Sequence, residues 1–193
     1  TANCGPHQRA ARASIICRKA AAAGYSAAGS MRTVSIELGV ANSLGVFAES
    51  RTSVADVSTV ITAENSTGWA QASSTRLDKI NAETLADEAI HKARIGANPV
   101  DFPPGEYTVI LDPYATSDIL GSLAYVGMGA MSVQEERSWL NGRIGQRAMA
   151  GSVTIVDDGL DLSGIPAPFD YEGVPKRRVP IVQSGVAMGP VYD

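Results

Sequence analysis

Five carboxylate side chains lie within sixteen residues of a segment that is otherwise mostly apolar. They belong to Asp157, Asp158, Asp161, Asp170 and Glu172, in a chain of which only 19% of the residues are charged. Carboxylate oxygens can bind a hard metal ion, accept hydrogen bonds from backbone amides in turns, or bind a partner. Their spacing lacks the regular alternation of a calcium-binding loop. We therefore favour the turn role and keep metal binding as the alternative.

Glycines adjoin both groups of acids, as Gly159 follows Asp158 and Gly173 follows Glu172. Glycine adopts positive φ without a steric penalty, so such dipeptides are typical of tight turns. A related pattern occurs earlier, where Asn42 and Gly45 interrupt an apolar stretch. Residues 40–46 are therefore predicted to form a strand, a tight turn and the start of the next strand.

Histidine and cysteine, which supply most zinc ligands, are scarce. His7 lies near the start, and His91 follows Glu88 by three positions on a predicted helix. A metal site there would need further converging ligands, so a solvated helix face is favoured. The sequence contains no H-E-x-x-H, H-E-x-x-x-H, C-x-x-C or G-x-S-x-G motif. Cys4 and Cys17 are too few for a disulfide framework and are predicted to be free thiols in the cytoplasm.

Composition narrows the class of protein. The chain has 193 residues, 45% of them hydrophobic, and a net charge of −4. This balance predicts a globular protein that binds no nucleic acid, because phosphate contacts need clustered lysine and arginine. No apolar run approaches the roughly 20 residues that span a bilayer, so no membrane association is expected. The sequence starts without methionine and ends without a closing element, so we expect it to be part of something longer.

The first half alternates between helical and extended patterns. Residues 8–23 predict an alanine-rich helix, residues 31–75 an antiparallel meander, and residues 81–95 a helix capped by Asn81. A stiff proline- and glycine-containing stretch at residues 98–105 follows. We therefore predict a central domain at residues 1–98 and the first part of a second domain at residues 99–193.

The second half reads as a mixture of short elements. Residues 106–111 predict a strand, residues 114–125 a helix, and Ser132 with Glu135 a capping box for a short helix ending at residues 141–142. The acidic motif follows a β-branched strand, and residues 179–192 predict a hairpin with a turn at Ser184 and Gly185. The fold class is α+β, with mostly antiparallel sheets and flanking helices, and with a central α/β domain followed by part of a β-rich C-terminal domain.

Several short motifs occur in a characteristic order. They occupy residues 40–45, 83–94, 105–113, 140–145, 153–159, 169–175 and 182–186. In this order and spacing the chain resembles the TldD/PmbA family, which is related to metalloproteases and some of whose members carry the name modulator of DNA gyrase. Members of that family are roughly twice as long as this chain.

The resemblance also implies a branch. Catalytic, TldD-like members carry H-E-x-x-x-H on a helix between the Asp112-Pro113 pair and the acidic motif. Here residues 119–128 of that interval contain neither histidine nor glutamate. The chain therefore resembles the TldE/PmbA-like branch, whose members pair with a TldD-like catalytic subunit that holds the zinc. The pair acts on unfolded peptides in peptide maturation and proteolysis.

Two other functions remain open. The chain could be a metallopeptidase in its own right, with ligands outside this sequence, or a binding protein that modulates gyrase. On the favoured interpretation no residue of this chain is catalytic or binds a metal, and a homo- or hetero-oligomer is expected.

The resemblance finally implies roles for the motif residues. They either shape turns beside the peptide cavity or bind the peptide backbone there, and we favour turn shaping. The residues concerned are Asp157, Asp158, Gly159, Phe169, Asp170, Glu172 and Gly173, with Asn42 and Gly45 as a further turn motif. If they shape turns, changing Asp170 and Glu172 together to Asn and Gln should loosen the fold.

Overall fold

The structure is a computed structural model that describes residue 1 and residues 3–192. The chain forms two compact units. Unit 1 comprises Thr1–Gly39 and Glu49–Pro104, and unit 2 comprises Val40–Ala48 and the chain from Gly105 onward. The short insert of residues 40–48 into unit 2 was not predicted. The predicted domain boundary after residue 98 stays a prediction.

Unit 1 contains a three-stranded antiparallel sheet and two helices. Its elements are α1 (Pro6–Ala22), β1 (Ser26–Ala41), β2 (Phe47–Thr62), β3 (Thr67–Ser74) and α2 (Ala82–Ile95). The sheet order is β1-β2-β3, and β3 pairs only with the second half of β2. The predicted helices and meander are confirmed, although β1 and β2 are longer than the sequence pattern indicates.

The core of unit 1 lies where α2 packs on β3 and on α1. Small side chains allow a close approach, since a Cβ atom on Gly68 would lie 1.9 Å from the carbonyl oxygen of Ala89. Thirteen buried apolar residues form one continuous cluster, and most of them are alanines and isoleucines. These are Ile16, Ala20, Ala55, Val57, Ile61, Ala70, Ile80, Ala82, Leu85, Ala86, Ala89, Ile90 and Ala93.

The predicted ends of α2 are also confirmed. The Asn81 side-chain oxygen accepts hydrogen bonds from the amides of Glu83 (2.9 Å) and Thr84 (3.2 Å), two donors that have no partner inside the helix. Glu88 and Lys92, one helical turn apart, form an ion pair at 3.0 Å.

Unit 2 has shorter elements. They are α3 (Pro113–Gly127), α4 (Ala130–Gln134), β4 (Ile155–Asp158), β5 (Arg178–Gln183) and β6 (Val186–Ala187). The strands pair antiparallel in the order β4-β5-β6. The predicted hairpin is confirmed, with a two-residue turn in which Ser184 and Gly185 both have positive φ. Its second strand is shorter than predicted. The two antiparallel sheets and their helices confirm the α+β class.

The core of unit 2 is small. Five buried apolar residues form its cluster: Met128, Leu140, Ile181, Val182 and Ala187. Along α3 only Gly127 is buried, and Tyr125 is 88% exposed. Much of the apolar surface of this unit therefore remains in contact with solvent.

The predicted strand at residues 106–111 is wrong for the described structure. This stretch has no assigned secondary structure, and Ile110 is fully exposed. Strand formation needs a neighbouring strand to receive the backbone hydrogen bonds, and none of β4, β5 and β6 is paired with residues 106–111. Local β propensity alone does not supply that neighbour.

The predicted capping box is also wrong. Ser132 is buried inside α4, whose N-cap is Gly129, and the helix ends at Gln134. The chain then turns back, because the carbonyl oxygen of Ser132 accepts hydrogen bonds from the amides of Arg137 and Ser138, both at 3.1 Å. None of the helices in the described part of the chain is long and apolar enough to cross a membrane.

Candidate functional site

Asp170 organises the loop that joins Phe169 to the strand region after it. Its side-chain oxygen Oδ1 accepts hydrogen bonds from the amides of Glu172 and Val174, both at 2.9 Å. Its own amide donates to the carbonyl oxygen of Val174, and the amide of Gly173 donates to the carbonyl oxygen of Asp170. Gly173 has φ +85°, which a residue with a Cβ adopts at a cost. One carboxylate thus satisfies two amides of its own loop.

The Asn42 loop repeats this arrangement at the tip of the β1–β2 hairpin. Oδ1 of Asn42 accepts from the amides of Leu44 (2.9 Å) and Val46 (3.1 Å), and Gly45 has φ +90°. The amide of Asn42 donates to the carbonyl oxygen of Val46, and the amide of Gly45 to that of Asn42. Asn-x-x-Gly-Val and Asp-x-x-Gly-Val therefore fold alike, because each supplies one side-chain oxygen and one glycine at the same positions.

The two loops touch within unit 2. A Cβ atom on Gly173 would lie 2.6 Å from Cγ1 of Val46 and 3.4 Å from Cγ1 of Val40. Glycine is therefore favoured at position 173 for two reasons. It adopts positive φ without a steric penalty, and it leaves room for the two valine side chains that lie against it. Both turns were predicted from the sequence, but their contact was not.

Asp158 and Gly159 form the second acidic turn. Oδ1 of Asp158 accepts from the amide of Leu160 at 3.2 Å, and Oδ2 lies 3.5 Å from Nε of Arg178 on the neighbouring strand. Gly159 leaves room for the chain beyond, since a Cβ there would lie 2.7 Å from the carbonyl oxygen of Ala167. Hydrogen bonds from the backbone amide and the hydroxyl of Ser163 lower the pKa of the Asp161 carboxyl below its usual value.

Asp157 differs from the other acids. It is the third residue of β4, opposite Val179 on β5, and its side chain is half-buried. It is one of the residues that line a groove of about 730 Å³ between β4 and α3. The polar side chains along this groove are those of Thr116, Ser117 and Asp157, and the remainder are apolar or glycine. The groove is large enough for several residues of a peptide.

One side of this groove is formed by the sheet, through three residues of β4 and Ile181 of β5. β4 is an outer strand, because the described strands of unit 2 are ordered β4-β5-β6. An outer strand presents unpaired backbone amides and carbonyls, to which an extended peptide can add as a further strand. Gly121 of α3 lines the opposite wall, and a Cβ there would meet no atom within 4 Å.

Zinc does not fit these residues. Zinc in metallopeptidases is bound by imidazole nitrogens and carboxylates, with a glutamate that activates water. The groove offers Asp157 alone, and α3 carries only one charged residue, Asp118. Across residues 1 and 3–192, no group of three or more His, Cys, Asp or Glu side chains is arranged to hold a metal ion.

The two histidines belong to unit 1, whereas the groove belongs to unit 2. His7 is exposed near the start of α1. His91 is exposed on α2, in a shallow depression shared with Lys19, Asp87 and Arg94. Lys19 and Asp87 form an ion pair at 2.8 Å. This surface is a solvated helix face, as expected.

Sequence reasoning located the acidic turns but not the groove. Thr116 and Ser117 precede Asp157 by about forty residues, and no motif links them. The one usable signal was the interval between the Asp112-Pro113 pair and the acidic motif, which the family resemblance marked. Whether the seven motif residues bind a peptide stays a prediction.

Two family models match the chain in sequence. Residues 8–96 match the PmbA/TldA metallopeptidase central domain, and residues 104–193 match the PmbA/TldA metallopeptidase C-terminal domain. A curated protein of Methanocaldococcus jannaschii, named only as uncharacterized, is 30% identical over 120 residues. That alignment covers 62% of this chain and 29% of the archaeal protein.

Solved structures share the fold. A proposed modulator of DNA gyrase from Thermotoga maritima superposes with a TM-score of 0.86 at 21% identity, over 98% of this chain and 46% of that one. A similarly named protein of Bacteroides thetaiotaomicron gives 0.86 at 18% identity, over 100% and 46%. TldE from Thermococcus kodakarensis gives 0.75 at 16% identity, over 99% and 45%. The chain thus spans less than half the length of these relatives.

Proposed function

Because this chain belongs to the PmbA/TldD metallopeptidase family, we propose that it is the non-catalytic, TldE-like subunit of a zinc peptidase complex acting on unfolded peptides. One observation carries the proposal. By the family resemblance, the catalytic motif would fall on α3, which lines the groove beside β4. Neither α3 nor the lining of the groove contains a histidine or a glutamate. The catalytic zinc would then be held by a TldD-like partner chain.

The strand edge and the apolar lining of the groove are suited to binding an extended peptide. Backbone groups along the outer edge of β4 can receive an extended strand in a sequence-independent way, as binding to unfolded substrates requires. Apolar walls from α3 would bury alternate side chains of that strand. Asp157 can accept a hydrogen bond from a peptide amide or attract a basic side chain in the groove.

Within this proposal the acidic turns hold the groove in shape. Asp158 links the end of β4 to β5 through Arg178, and Asp170 fixes the loop that carries Gly173. Both carboxylate oxygens of Asp158 and Oδ1 of Asp170 already lie against protein donors, whereas Asp157 is the acid that lines the groove.

The first test is the zinc content of the purified protein, alone and in complex with a co-expressed TldD-like chain. We expect no bound zinc in the isolated protein and about one zinc per pair, with peptidase activity in the pair alone. One tightly bound zinc in the isolated protein would show that it is a metallopeptidase in its own right. A change in gyrase supercoiling caused by the pure protein would support the gyrase-modulating alternative instead.

The second test fills the groove. Gly121→Leu places a side chain in open space and replaces a helical glycine, so the fold should be retained. Binding of a fluorescein-labelled unstructured peptide, measured by anisotropy, should weaken at least about tenfold. The matched control, Ser122→Leu, adds the same bulk on α3 outside the groove lining and should leave binding unchanged. Equal effects of both variants would contradict the groove assignment.

A further inference from the structure

The first half of β2 has a free edge that no described strand covers. The second half of β2 is covered along the same edge by β3, and that pairing ends at Ala55 opposite Ser74. Glu49 to Val54, which precede Ala55 in unit 1, therefore have β1 on one side and no strand on the other. An uncovered edge of this kind is a template for strand addition, which proteins either block or use.

The direction of the backbone groups along this edge follows from the β2–β3 pairing. The amide of Ala63 donates to the carbonyl oxygen of Ser66 at 3.0 Å, so this odd-numbered position faces the β3 side. In an antiparallel ladder such positions alternate. Continuing the alternation along β2, Glu49, Arg51 and Ser53 direct their amides and carbonyls outward at the free edge. Ser50 and Thr52 direct theirs towards β1.

The side chains at these positions carry opposite charges two residues apart. Glu49 and Arg51 lie on the same face of β2 and are both exposed. On this face the inner positions Ala55, Val57 and Ile61 are buried, so the charges begin where the core ends. Arg51 also forms a 3.5 Å ion pair with Glu37 of β1, and both side chains are largely exposed.

We propose that this edge joins two copies of the chain, through antiparallel pairing of β2 with β2 about a two-fold axis at Ser50. In this register Glu49 of each copy lies opposite Arg51 of the other. A register shifted so that Glu49 or Arg51 lies on the axis would place like charges face to face, which disfavours it. The strand is thus charge-complementary to itself in one register.

The length of the edge agrees with this register. Pairing centred on Ser50 extends to Ser53, which precedes the position where β3 begins to pair with β2. Glu49 and Arg51 both have outward backbone groups, so each opposed pair can exchange two hydrogen bonds. Arg51 would then lie between Glu37 of its own copy and Glu49 of the other. The occupant is therefore a second copy of this chain, and the inference does not depend on the proposed function.

The register can be tested by cross-linking. Ser50 would face its own counterpart in a non-hydrogen-bonded pair, where Cα atoms lie about 4.5 Å apart, within the range of a disulfide. In a Cys17→Ser background, which removes the exposed native thiol, Ser50→Cys should give a covalent dimer on mild oxidation. The control Thr52→Cys faces residue 48 of the other copy and should give at least about tenfold less dimer.

The charge pairing can be tested by reversal, in a Glu37→Gln background that removes the internal partner of Arg51. Arg51→Glu and Glu49→Arg should each raise the dimer dissociation constant at least about tenfold by light scattering and sedimentation. The combined variant should restore dimerisation, because the opposite charges are exchanged between the copies. A protein that is monomeric at high micromolar concentration, or a dimer unaffected by these changes or cross-linked equally at Thr52, would overturn the inference.

Discussion

Units 1 and 2 are held together by different kinds of interaction. In unit 1 thirteen buried apolar residues form one cluster. Helix α2 lies so close to the sheet that no side chain would fit at Gly68. In unit 2 the cluster has five buried members. Loops of this unit are fixed by side-chain oxygens that accept hydrogen bonds from backbone amides. Burial dominates the first unit, and local hydrogen bonding shapes much of the second.

The difference shows where a chain can place a groove. A packed helix–sheet interface leaves little space, whereas a unit whose loops are each fixed by their own Asp or Asn can leave a wide opening beside a strand edge. The groove between α3 and β4 is of this second kind. Its shape would depend on turns more than on a deep core.

Each unit contains one tryptophan, whose fluorescence can report the unfolding of that unit. Trp69 lies in unit 1 and Trp139 in unit 2, and these are the chain's two tryptophans. Variants with Trp139→Phe or Trp69→Phe therefore follow the unfolding of one unit each by fluorescence.

The largest effect is expected in the core of unit 1. Ile61 is fully buried, so Ile61→Ala should lower the free energy of unfolding by roughly 2–5 kcal/mol, through lost burial and a cavity. Urea unfolding followed at Trp69 measures it. The milder Ile61→Val should cost only about 0.5–1.5 kcal/mol. A loss below that of Ile61→Val would mean that unit 1 does not depend on burial.

A smaller effect is expected where the two loops of unit 2 meet. Gly173→Ala must accommodate positive φ and a Cβ that would lie 2.6 Å from Val46, so it should cost roughly 1–3 kcal/mol at Trp139. Gly45→Ala has the same φ problem but no atom within 4 Å, so it should cost about 1 kcal/mol. Equal losses would show that the contact between the loops contributes nothing.

The next prediction concerns the side-chain oxygen of Asp170. Asp170→Ala removes the acceptor of two amides and should cost roughly 1–2 kcal/mol at Trp139. Asp170→Asn should be close to wild type, since Asn42 makes the same bonds in its own loop. If the motif residues shape turns, the Asp170→Asn, Glu172→Gln double variant is expected to loosen the fold, but the bonds made by Asn42 in its own loop argue against a large loss at Asp170. An Asn variant as unstable as the Ala variant would show that charge matters.

The smallest effect is expected on the stability of the two units at acidic pH. Ser163 lowers the pKa of the Asp161 carboxyl in the folded state, so this group stabilises unit 2 above its unfolded pKa of about 4. That contribution is lost as the pH falls through the lower folded value. Asp161→Asn should therefore slightly flatten the acid limb of unfolding at Trp139 and leave neutral pH nearly unchanged. In unit 1 a hydrogen bond from Arg76 lowers the pKa of Asp78, so Asp78→Asn should act alike at Trp69.

Sequence patterns predicted the elements that local chemistry specifies. The capping side chain of Asn81 indicated α2, and β3 lies within the meander that was predicted at residues 31–75. The start of β1 was missed because Gly29 and Ser30 have low β propensity. Gly29 is nevertheless suited to its place, since a Cβ there would lie 2.1 Å from the carbonyl oxygen of Ser58.

The failures and omissions concern interactions distant in sequence. Residues 106–111 have the composition of a strand, but a strand exists only where a neighbour pairs with it. The groove joins residues on α3 and β4 that no local motif connects. Likewise, the Asn42 and Asp170 turns were each evident, but nothing in the sequence indicated that Val46 lies against Gly173. Local rules predict turns and caps, whereas contacts between turns require the fold.

The insertion of residues 40–48 into unit 2 has a practical consequence for dissecting the molecule. The chain passes between the units at residues 39–40, 48–49 and 104–105. Protease cleavage in the linker near residue 100 would therefore not divide the chain into two complete units. A recombinant piece beginning at Gly105 would lack Val40 and Val46, leaving the loop at Gly173 without its neighbours. Adding the hairpin tip back as a separate peptide should restore proteolytic protection of that piece.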